Sequence, residues 1–229
     1  MKKVLITQSN YIPWKGYFDA IQLVDEVILY DDMQYTKRDW RNRNLIKTPQ
    51  GVQWLTIPVE VKGKFFQAIK DVKISDHNWN TKHWKTLQTV YAKAPCFKEH
   101  KDFFENLYHN CHETYLSQIN WYFLTHINHF LGIKTPMRFS SDFVLIEGKT
   151  ERLVNLCQQL QATDYYSGSA AKSYLDEALF EQAGIRLHYL DYSGYPEYPQ
   201  LYPPFTHQVS ILDLIFNTGK QATKYMKYF

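Results

Sequence analysis

The sequence has few cysteines, no long hydrophobic run and no block of like charges, and each absence excludes a class of protein. Cys96, Cys111 and Cys157 are odd in number, widely spaced and in no metal-binding pattern, which is typical of a reducing compartment. No apolar run approaches the roughly 18 residues that cross a bilayer. The hydrophobic positions 4–7 are too few for the core of a signal peptide. We therefore predict a cytoplasmic protein without a transmembrane segment.

The charge balance is mild. Lys and Arg number 26 against 23 Asp and Glu, which gives a net charge of +3. No run of five or six like charges appears, so we expect no nucleic-acid partner. Binding of a small anionic ligand is compatible with this charge. The histidines fall into no metal-protease motif, and we predict no metal site.

Aromatic residues are abundant instead, at 17% of the chain, with 18 Tyr and 6 Trp. Each combines an apolar face with a hydrogen-bonding tip, so these residues suit half-buried pocket walls as well as cores. The 229 residues are enough to bury a proper core, and we predict one domain over 1–229. The final 220–229 are predicted to be a loosely held tail.

Hydrophobic patterning predicts an α/β fold with a mixed or mostly parallel sheet, a Rossmann-like N-terminal unit and a helical middle segment. The N-terminal unit is a strand at 3–7, a polar loop, a helix at 16–24 and a strand at 27–30. The other predicted elements are strands at 52–61, 68–74 and 185–190, and helices at 79–93, 97–130, 150–160, 169–183 and 211–217.

Polar residues follow the first strand, where ligands of parallel sheets bind. The loop leads into a helix N-terminus, whose free N–H groups attract anions. The candidate ligand-binding residues of this segment are Gln8, Asn10, Tyr11, Trp14 and Lys15. The structural alternative is a turn at Pro13 and Gly16 with Trp14 in the core.

A second polar segment, 31–44, interleaves three arginines with aromatic and amide side chains, which suits phosphate or carboxylate recognition. Asp31 and Asp32 could bind Mg²⁺, although adjacent aspartates more often cap a turn. The alternative for the whole segment is a solvated, salt-bridged loop. The candidate ligand-binding residues here are Gln34, Tyr35, Arg38, Trp40, Arg41, Asn42 and Arg43.

Two later segments carry weaker signals. Ser167 and Gly168 precede an alanine-rich stretch and predict a helix N-terminus that a ligand can approach closely, or simply a capped helix. His207, Ser210 and Asp213 invite a catalytic interpretation, but Ser210 and Asp213 also form a variant of the capping box. His207 is then the best-placed general base.

The segments 8–18, 30–32, 34–35, 39–44, 198–200 and 210–213 together resemble the WbqC-like proteins, over nearly the whole chain. The resemblance implies a bacterial surface-polysaccharide or O-antigen role, of the lipopolysaccharide type, with acyl or aminoacyl transfer to an amino sugar. It supplies no established catalytic residue.

We therefore predict a transferase that acts on a nucleotide-activated sugar. The arginines and Lys15 would bind the diphosphate, and the aromatic rings would stack on the base or the sugar. The amide side chains would hydrogen-bond the hydroxyls of the sugar. His207 or Asp32 is the predicted base, and backbone N–H groups near Ser167 and Gly168 would stabilise an oxyanion. The alternatives are a non-catalytic sugar-nucleotide binding module, an ATP-using or nucleotidyl-transferring enzyme, and an interaction protein. Cofactor and oligomeric state stay open.

Overall fold

A five-stranded sheet forms the centre of the computed structural model, which describes residues 1–229. The strand order is β5-β2-β1-β6-β7, and every neighbouring pair is parallel. A separate antiparallel hairpin, β3-β4, lies outside this sheet. The strands are β1 (Lys3–Thr7), β2 (Glu26–Leu29), β3 (Arg43–Thr48), β4 (Gly51–Thr56), β5 (Met137–Phe139), β6 (Asp164–Ser167) and β7 (Arg186–Tyr189).

Seven α-helices surround the sheet, and the predicted mostly parallel α/β fold with its strand-helix-strand opening is confirmed. None of the helices combines the length and apolar character that crossing a membrane requires. The helices are α1 (Lys15–Leu23), α2 (Trp79–Tyr91), α3 (Phe97–His109), α4 (Leu116–Leu131), α5 (Thr150–Gln159), α6 (Glu177–Gln182) and α7 (Ile211–Thr218).

The sheet separates two hydrophobic clusters, because successive side chains of a strand point to opposite faces. In β1, Leu5 joins a cluster of 43 buried residues, whereas Val4 and Ile6 join a cluster of 13. The larger cluster contains apolar side chains of α1, α2, α3, α4 and α7, and the smaller one contains those of α5 and α6. The continuous apolar run of β1 therefore reflects burial on both faces.

Several predicted elements were wrong in extent. The helix predicted at 169–183 is a 3-10 helix, Ser169–Ser173, followed by α6, and Asp176 begins α6 by accepting a hydrogen bond from the Ala178 N–H at 3.0 Å. The segment 68–74 is not a strand but contains a 3-10 turn, Ile69–Asp71. Strand β4 ends before Pro58, which cannot donate a ladder hydrogen bond. The helix predicted at 97–130 is two helices, α3 and α4.

The C-terminal residues are docked, contrary to the loose tail that we expected. They form a 3-10 helix, Gly219–Tyr225, in which Ala222 is fully buried, and Met226 is also buried. The buried carboxylate of Asp19 in α1 accepts hydrogen bonds from the backbone N–H groups of Lys227 at 2.8 Å and Tyr228 at 3.2 Å. A side chain of the first helix thus fixes the end of the chain.

Replacing this carboxylate tests that contact. We expect Asp19→Ala to lower the free energy of unfolding by about 3 kcal/mol, because two backbone donors lose a charged acceptor. Urea denaturation of the full chain measures the change, and Asp102→Ala, which removes an exposed carboxylate of α3, is the matched control. Equal stability of the two variants would show that the docked end contributes nothing to folding.

Candidate functional site

The strand order creates a crevice at the carboxyl ends of β1 and β6. From β1 the chain proceeds through β2 to β5 at one edge of the sheet and then returns to β6 and β7 on the other side of β1. The connections that leave β1 and β6 therefore turn away from each other, and ligands of such sheets bind at this switch point.

A cavity of about 760 Å³ opens at this crevice, a volume in the range of small-molecule sites. The strands β1, β2 and β6 contribute residues at or just beyond their carboxyl ends, Met33 and Arg41 come from the loop after β2, and the rest of the lining comes from 147–153 and 168–174. We call it the crevice cavity. It is lined by Ile6, Thr7, Gln8, Tyr30, Met33, Arg41, Glu147, Gly148, Lys149, Arg152, Leu153, Tyr165, Ser167, Gly168, Ala170, Ala171 and Tyr174.

Positive charge dominates the crevice cavity. Arg41, Lys149 and Arg152 line it, and the single carboxylate of the lining is Glu147, whose side chain is fully exposed. The Arg152 Nε donates to the Ile146 carbonyl at 2.5 Å, which orients the guanidinium. Burial raises the pKa of Tyr30, and the nearby Arg152 only partly opposes this effect. The phenol therefore stays neutral and can hydrogen-bond a ligand.

Arg41 is the most enclosed of these cations, with a side chain that is 12% exposed. Its guanidinium lies 3.7 Å from Asp39, yet its buried Nε has no hydrogen-bond partner. Its carbonyl accepts a hydrogen bond from Asn120 Nδ2 at 3.0 Å, which ties this loop to α4. Because a buried unpaired donor is costly, this group is well suited to a ligand that accepts hydrogen bonds.

Asp31 organises the polar loops behind the cavity. Its buried carboxylate accepts the Ser9 N–H at 2.8 Å and the Ser117 hydroxyl, and the Ser9 Oγ accepts from Asn120 Nδ2 at 2.9 Å. Burial raises the pKa of Asp31 despite these donors. The loops after β1 and β2 are therefore joined to α4 by one carboxylate.

Asp32 points to different partners. Its carboxylate accepts hydrogen bonds from the Lys70 ammonium and from the Ser140 hydroxyl, the latter at 2.6 Å, and it does not line the crevice cavity. The adjacent aspartates thus share no site. No group of three or more His, Cys, Asp or Glu side chains in the chain is arranged to hold a metal ion.

A second cavity, of about 390 Å³, is also lined by residues of the loops after β1 and β2, and no charged side chain lines it. We call it the neutral cavity. Gln8 and Arg41 line the crevice cavity, whereas Asn10 and Trp40 line the neutral one. The neutral cavity is lined by Asn10, Pro13, Trp14, Trp40, Asn44, His207, Gln208 and Val209.

His207 contributes a neutral imidazole to the neutral cavity. Burial lowers its pKa, and the nearby charge of Lys15 lowers it further, so the ring is unprotonated at neutral pH. The ring packs edge-on against Phe205 with centroids 4.6 Å apart, and its Nδ1 is buried without a partner. A neutral imidazole can accept a proton or a hydrogen bond.

The structure brings together two subsets of the residues that the sequence predicted as ligand-binding. Gln8, Arg41, Ser167 and Gly168 line the crevice cavity, and Asn10, Trp14, Trp40 and His207 line the neutral cavity. The remaining candidates line neither of them: Tyr11, Lys15, Asp32, Gln34, Tyr35, Arg38, Asn42 and Arg43.

Lys15 is held by the protein itself. Its ammonium donates to the Pro196 carbonyl at 2.7 Å and lies 5.2 Å from the ring centres of Tyr195 and Tyr198. Burial lowers the pKa of Lys15 to about 8. The start of α1 is covered as well, because a Cβ at Gly16 would lie 2.3 Å from the Trp14 ring. The sequence-based anion site at this helix therefore has no cation aimed at it.

The other candidates outside the cavities have structural contacts. Tyr35 is buried, and Asn42 Nδ2 donates to the Ile57 carbonyl at 2.8 Å. Gln34 Nε2 donates to the Phe65 carbonyl at 3.0 Å. The guanidinium of Arg43 stacks 3.8 Å from the ring centre of Trp54 and bonds the carbonyl of the exposed Arg38.

Sequence reasoning missed the cations Lys149 and Arg152. The available signal was Gly148-Lys149-Thr150 directly before an amphipathic helix. Gly148 has φ +97°, a left-handed conformation that favours glycine at this turn. The capping-box interpretation of Asp213 was also wrong. Ser210 does begin α7, because its hydroxyl accepts a hydrogen bond from the Leu212 N–H. The Asp213 carboxylate instead accepts hydrogen bonds from the side chains of Tyr91, Tyr198 and Gln200.

These features define an α/β protein with a basic crevice at the switch point of a parallel sheet. Residues 8–225 match the WbqC-like protein family, and the chain belongs to that family. It is 53% identical over 228 residues to an uncharacterized protein of Mycobacterium tuberculosis, Rv1507c, an alignment that covers all of this chain and 99% of the relative. No solved structure matches the chain.

Tyr11 belongs to a buried chain of hydrogen bonds that supports the loop after β1. Its hydroxyl is 2.8 Å from that of Tyr108 and 2.9 Å from His83 Nδ1, and His83 Nε2 bonds the Thr56 carbonyl at 3.0 Å. A carbonyl accepts only, so Nε2 carries the proton and Nδ1 accepts from Tyr11. Burial lowers the pKa of His83 to about 4.

This neutral histidine makes stability depend on pH. The unfolded chain binds the proton near the ordinary value of 6.5 and the folded protein only near pH 4, so the unfolded state binds more protons in between. Stability therefore falls as the pH falls from about 6.5 to about 4, by about 3 kcal/mol in total. We expect His83→Gln to remove most of this pH dependence in urea denaturation at pH 7.5 and pH 4.5.

The exposed His112 provides the control, because His112→Gln changes a histidine without buried contacts and should keep the pH dependence of the unmodified protein. An unchanged pH dependence in His83→Gln would mean that His83 accepts a proton equally well in the folded and unfolded states.

Proposed function

We propose that this protein is a transferase that acts on a nucleotide-activated amino sugar, and that the crevice cavity holds the diphosphate of that substrate. The observation that carries the proposal is the concentration of three cations, Arg41, Lys149 and Arg152, at the switch point of the sheet. Guanidinium groups bind phosphate oxygens in two-point geometry, and an ammonium adds a point charge.

The rest of the cavity suits the sugar and the base of such a ligand. Tyr30, Tyr165 and Tyr174 supply aromatic faces, and Gln8 and Ser167 supply hydrogen-bonding groups. Large apolar walls with a few convergent polar groups are typical of small-molecule sites. The family resemblance adds the biological setting, which is surface-polysaccharide or O-antigen biosynthesis, and we place the activity in the cytoplasm.

The group transferred is an acyl or aminoacyl group in this proposal. Attack of a sugar amine on an acyl thioester forms an amide and breaks the carbon–sulfur bond, which releases the thiol. The step needs a base for the amine proton and a hydrogen-bond donor for the oxyanion. The Gly168 N–H donates no hydrogen bond within the protein and borders the crevice cavity, which suits the second role. His207 and Asp32 stay predictions as bases, since His207 faces the neutral cavity and Asp32 faces neither.

A second candidate function is a non-catalytic module that binds the same ligand. It is favoured by one observation: the crevice cavity contains no histidine, and its single carboxylate is the exposed Glu147. The ATP-using alternative loses its sequence argument, because Asp31 and Asp32 are engaged by separate protein donors.

Arg41 and Arg38 lie in one loop and provide a matched pair of variants for testing whether the crevice cavity binds a nucleotide sugar. We expect Arg41→Met to weaken binding of UDP-N-acetylglucosamine by about 10- to 100-fold, because a charged donor to phosphate is lost while the apolar stem is kept. Isothermal titration calorimetry with this nucleotide sugar, GDP-mannose and UDP alone measures the effect.

The control is Arg38→Asn in the same loop. Arg38 is exposed, lines neither cavity and has φ +61°, a conformation that asparagine tolerates. The Arg38→Asn variant should bind UDP-N-acetylglucosamine as tightly as the unmodified protein. If none of the three nucleotides binds the unmodified protein, or if both variants bind equally well, the crevice cavity is not a nucleotide-sugar site.

Gly168 allows the cavity to be blocked without disturbing the fold. Its φ of −63° and ψ of 146° are accessible to any residue, and a Cβ there meets no protein atom within 4 Å. We therefore expect Gly168→Leu to unfold at the same urea concentration as the unmodified protein and to lose nucleotide-sugar binding, since the added side chain occupies the space of the ligand. Unimpaired binding would place the ligand elsewhere.

Turnover separates the transferase from the binding module. The protein is incubated with UDP-glucosamine, which carries a free amine, together with acyl or aminoacyl thioesters, and the nucleotide sugar is weighed by mass spectrometry. A gain of one acyl group that Gly168→Leu abolishes supports the transferase. Tight binding without any change in mass supports the module.

A further inference from the structure

We propose that the neutral cavity is a separate binding site for an uncharged saccharide. This site is distinct in its lining from the crevice cavity, since the two share no lining residue, and it does not depend on what the crevice cavity binds. Its volume of about 390 Å³ is within the range of small-molecule sites.

The charge of the lining selects against ions. None of the eight residues that line the neutral cavity is charged. Lys15, which approaches His207 closely enough to affect its pKa, has its ammonium on the Pro196 carbonyl and is buried. An anionic ligand would lose its hydration without contacting a charged side chain of the lining, whereas a neutral polyol loses much less.

Two indole rings that contact other aromatic rings provide apolar surface of the kind that a sugar ring needs. Trp14 packs against Tyr192 and Tyr195, with centroids 5.4 and 5.2 Å away. Trp40 is 41% exposed and packs on Trp54 at 5.2 Å. A pyranose has a C–H face that stacks on an aromatic ring and a rim of hydroxyls, so flat rings beside polar groups match it.

Polar groups without partners lie beside these rings. Asn10 Oδ1 and His207 Nδ1 are buried and have no hydrogen bond, although they come from loops about 200 residues apart in the sequence. Both side chains end in planar groups with broad torsional wells, so a small rotation turns each atom toward a ligand. A hydroxyl can donate to the amide oxygen and can either donate to or accept from the imidazole.

The backbone of the wall shows the strain that accompanies built sites. Ile12, between Asn10 and Trp14, has φ +37° and is fully buried, which is unfavourable for a β-branched residue. Such strain persists only where the surroundings enforce it, and it clusters at ligand sites. This wall is therefore held in one shape before any ligand arrives.

The chain has six tryptophans, so buried ones serve as controls for Trp14 and Trp40 in the same spectrum. The full chain is labelled with 5-fluorotryptophan and titrated, by fluorine NMR, with methyl glycosides of glucose, galactose, mannose, rhamnose and N-acetylglucosamine. We expect at least one glycoside to shift the resonances of Trp14 and Trp40. The buried Trp79 and Trp84 should not move.

Variants then distinguish this site from the crevice cavity. Trp40→Ala should weaken glycoside binding by about tenfold and leave UDP-N-acetylglucosamine binding unchanged, while Arg41→Met should do the reverse. Phe66→Ala, which removes an aromatic ring that is 84% exposed and lies outside the cavity, is the control.

Three results would overturn the proposal. One is the absence of any shift of Trp14 or Trp40 with every glycoside up to the solubility limit. Another is an equal shift of the buried tryptophans, which would indicate a non-specific effect. The third is tighter binding of methyl glucuronide, titrated in the same way as an anionic counterpart, than of the neutral glycosides, because the site would then favour an anion. None of these results bears on nucleotide binding in the crevice cavity.

Discussion

The carboxylate of Asp31 holds the polar loops of this protein in place. Asp31 lies two residues after the end of β2, and its carboxylate accepts hydrogen bonds from the backbone N–H of Ser9, in the loop after β1, and from the hydroxyl of Ser117 in α4. Burial raises its pKa, so ionisation is opposed by desolvation and supported by the donors around it. Removing one partner of such a network leaves a buried group unsatisfied, and the loops that line both cavities would lose their anchor.

The anchored loops form a wall with two chemically different sides. Gln8 and Arg41 belong to the basic crevice, while Asn10 and Trp40 belong to the neutral cavity. The Tyr11 N–H donates to the Trp40 carbonyl at 3.2 Å, so the two loops support each other between the cavities.

The sequence predicted the first strand-helix-strand unit well because its signals are local. Val4-Leu5-Ile6 form a continuous apolar run, and the polar residues begin where β1 ends. The strand β6, Asp-Tyr-Tyr-Ser, gave no such signal, because its side chains are held by partners distant in sequence, such as Arg186 on Asp164 at 2.8 Å. The docked C-terminus was missed for the same reason, since Asp19 lies some 200 residues before the groups that it binds.

The predicted anion site at α1 illustrates how the fold can engage a cation that sequence reasoning assigns to a ligand. Sequence reasoning placed an anion at the start of α1, with Lys15 beside it. A lysine in the first turn faces the positive end of the helix dipole, which is unfavourable unless other groups compensate. The fold supplies that compensation through the Pro196 carbonyl and the rings of Tyr195 and Tyr198, and Trp14 covers the turn. Since Lys15 is engaged in this way, we place the proposed anion site in the crevice cavity, where the buried Nε of Arg41 has no hydrogen-bond partner in the protein.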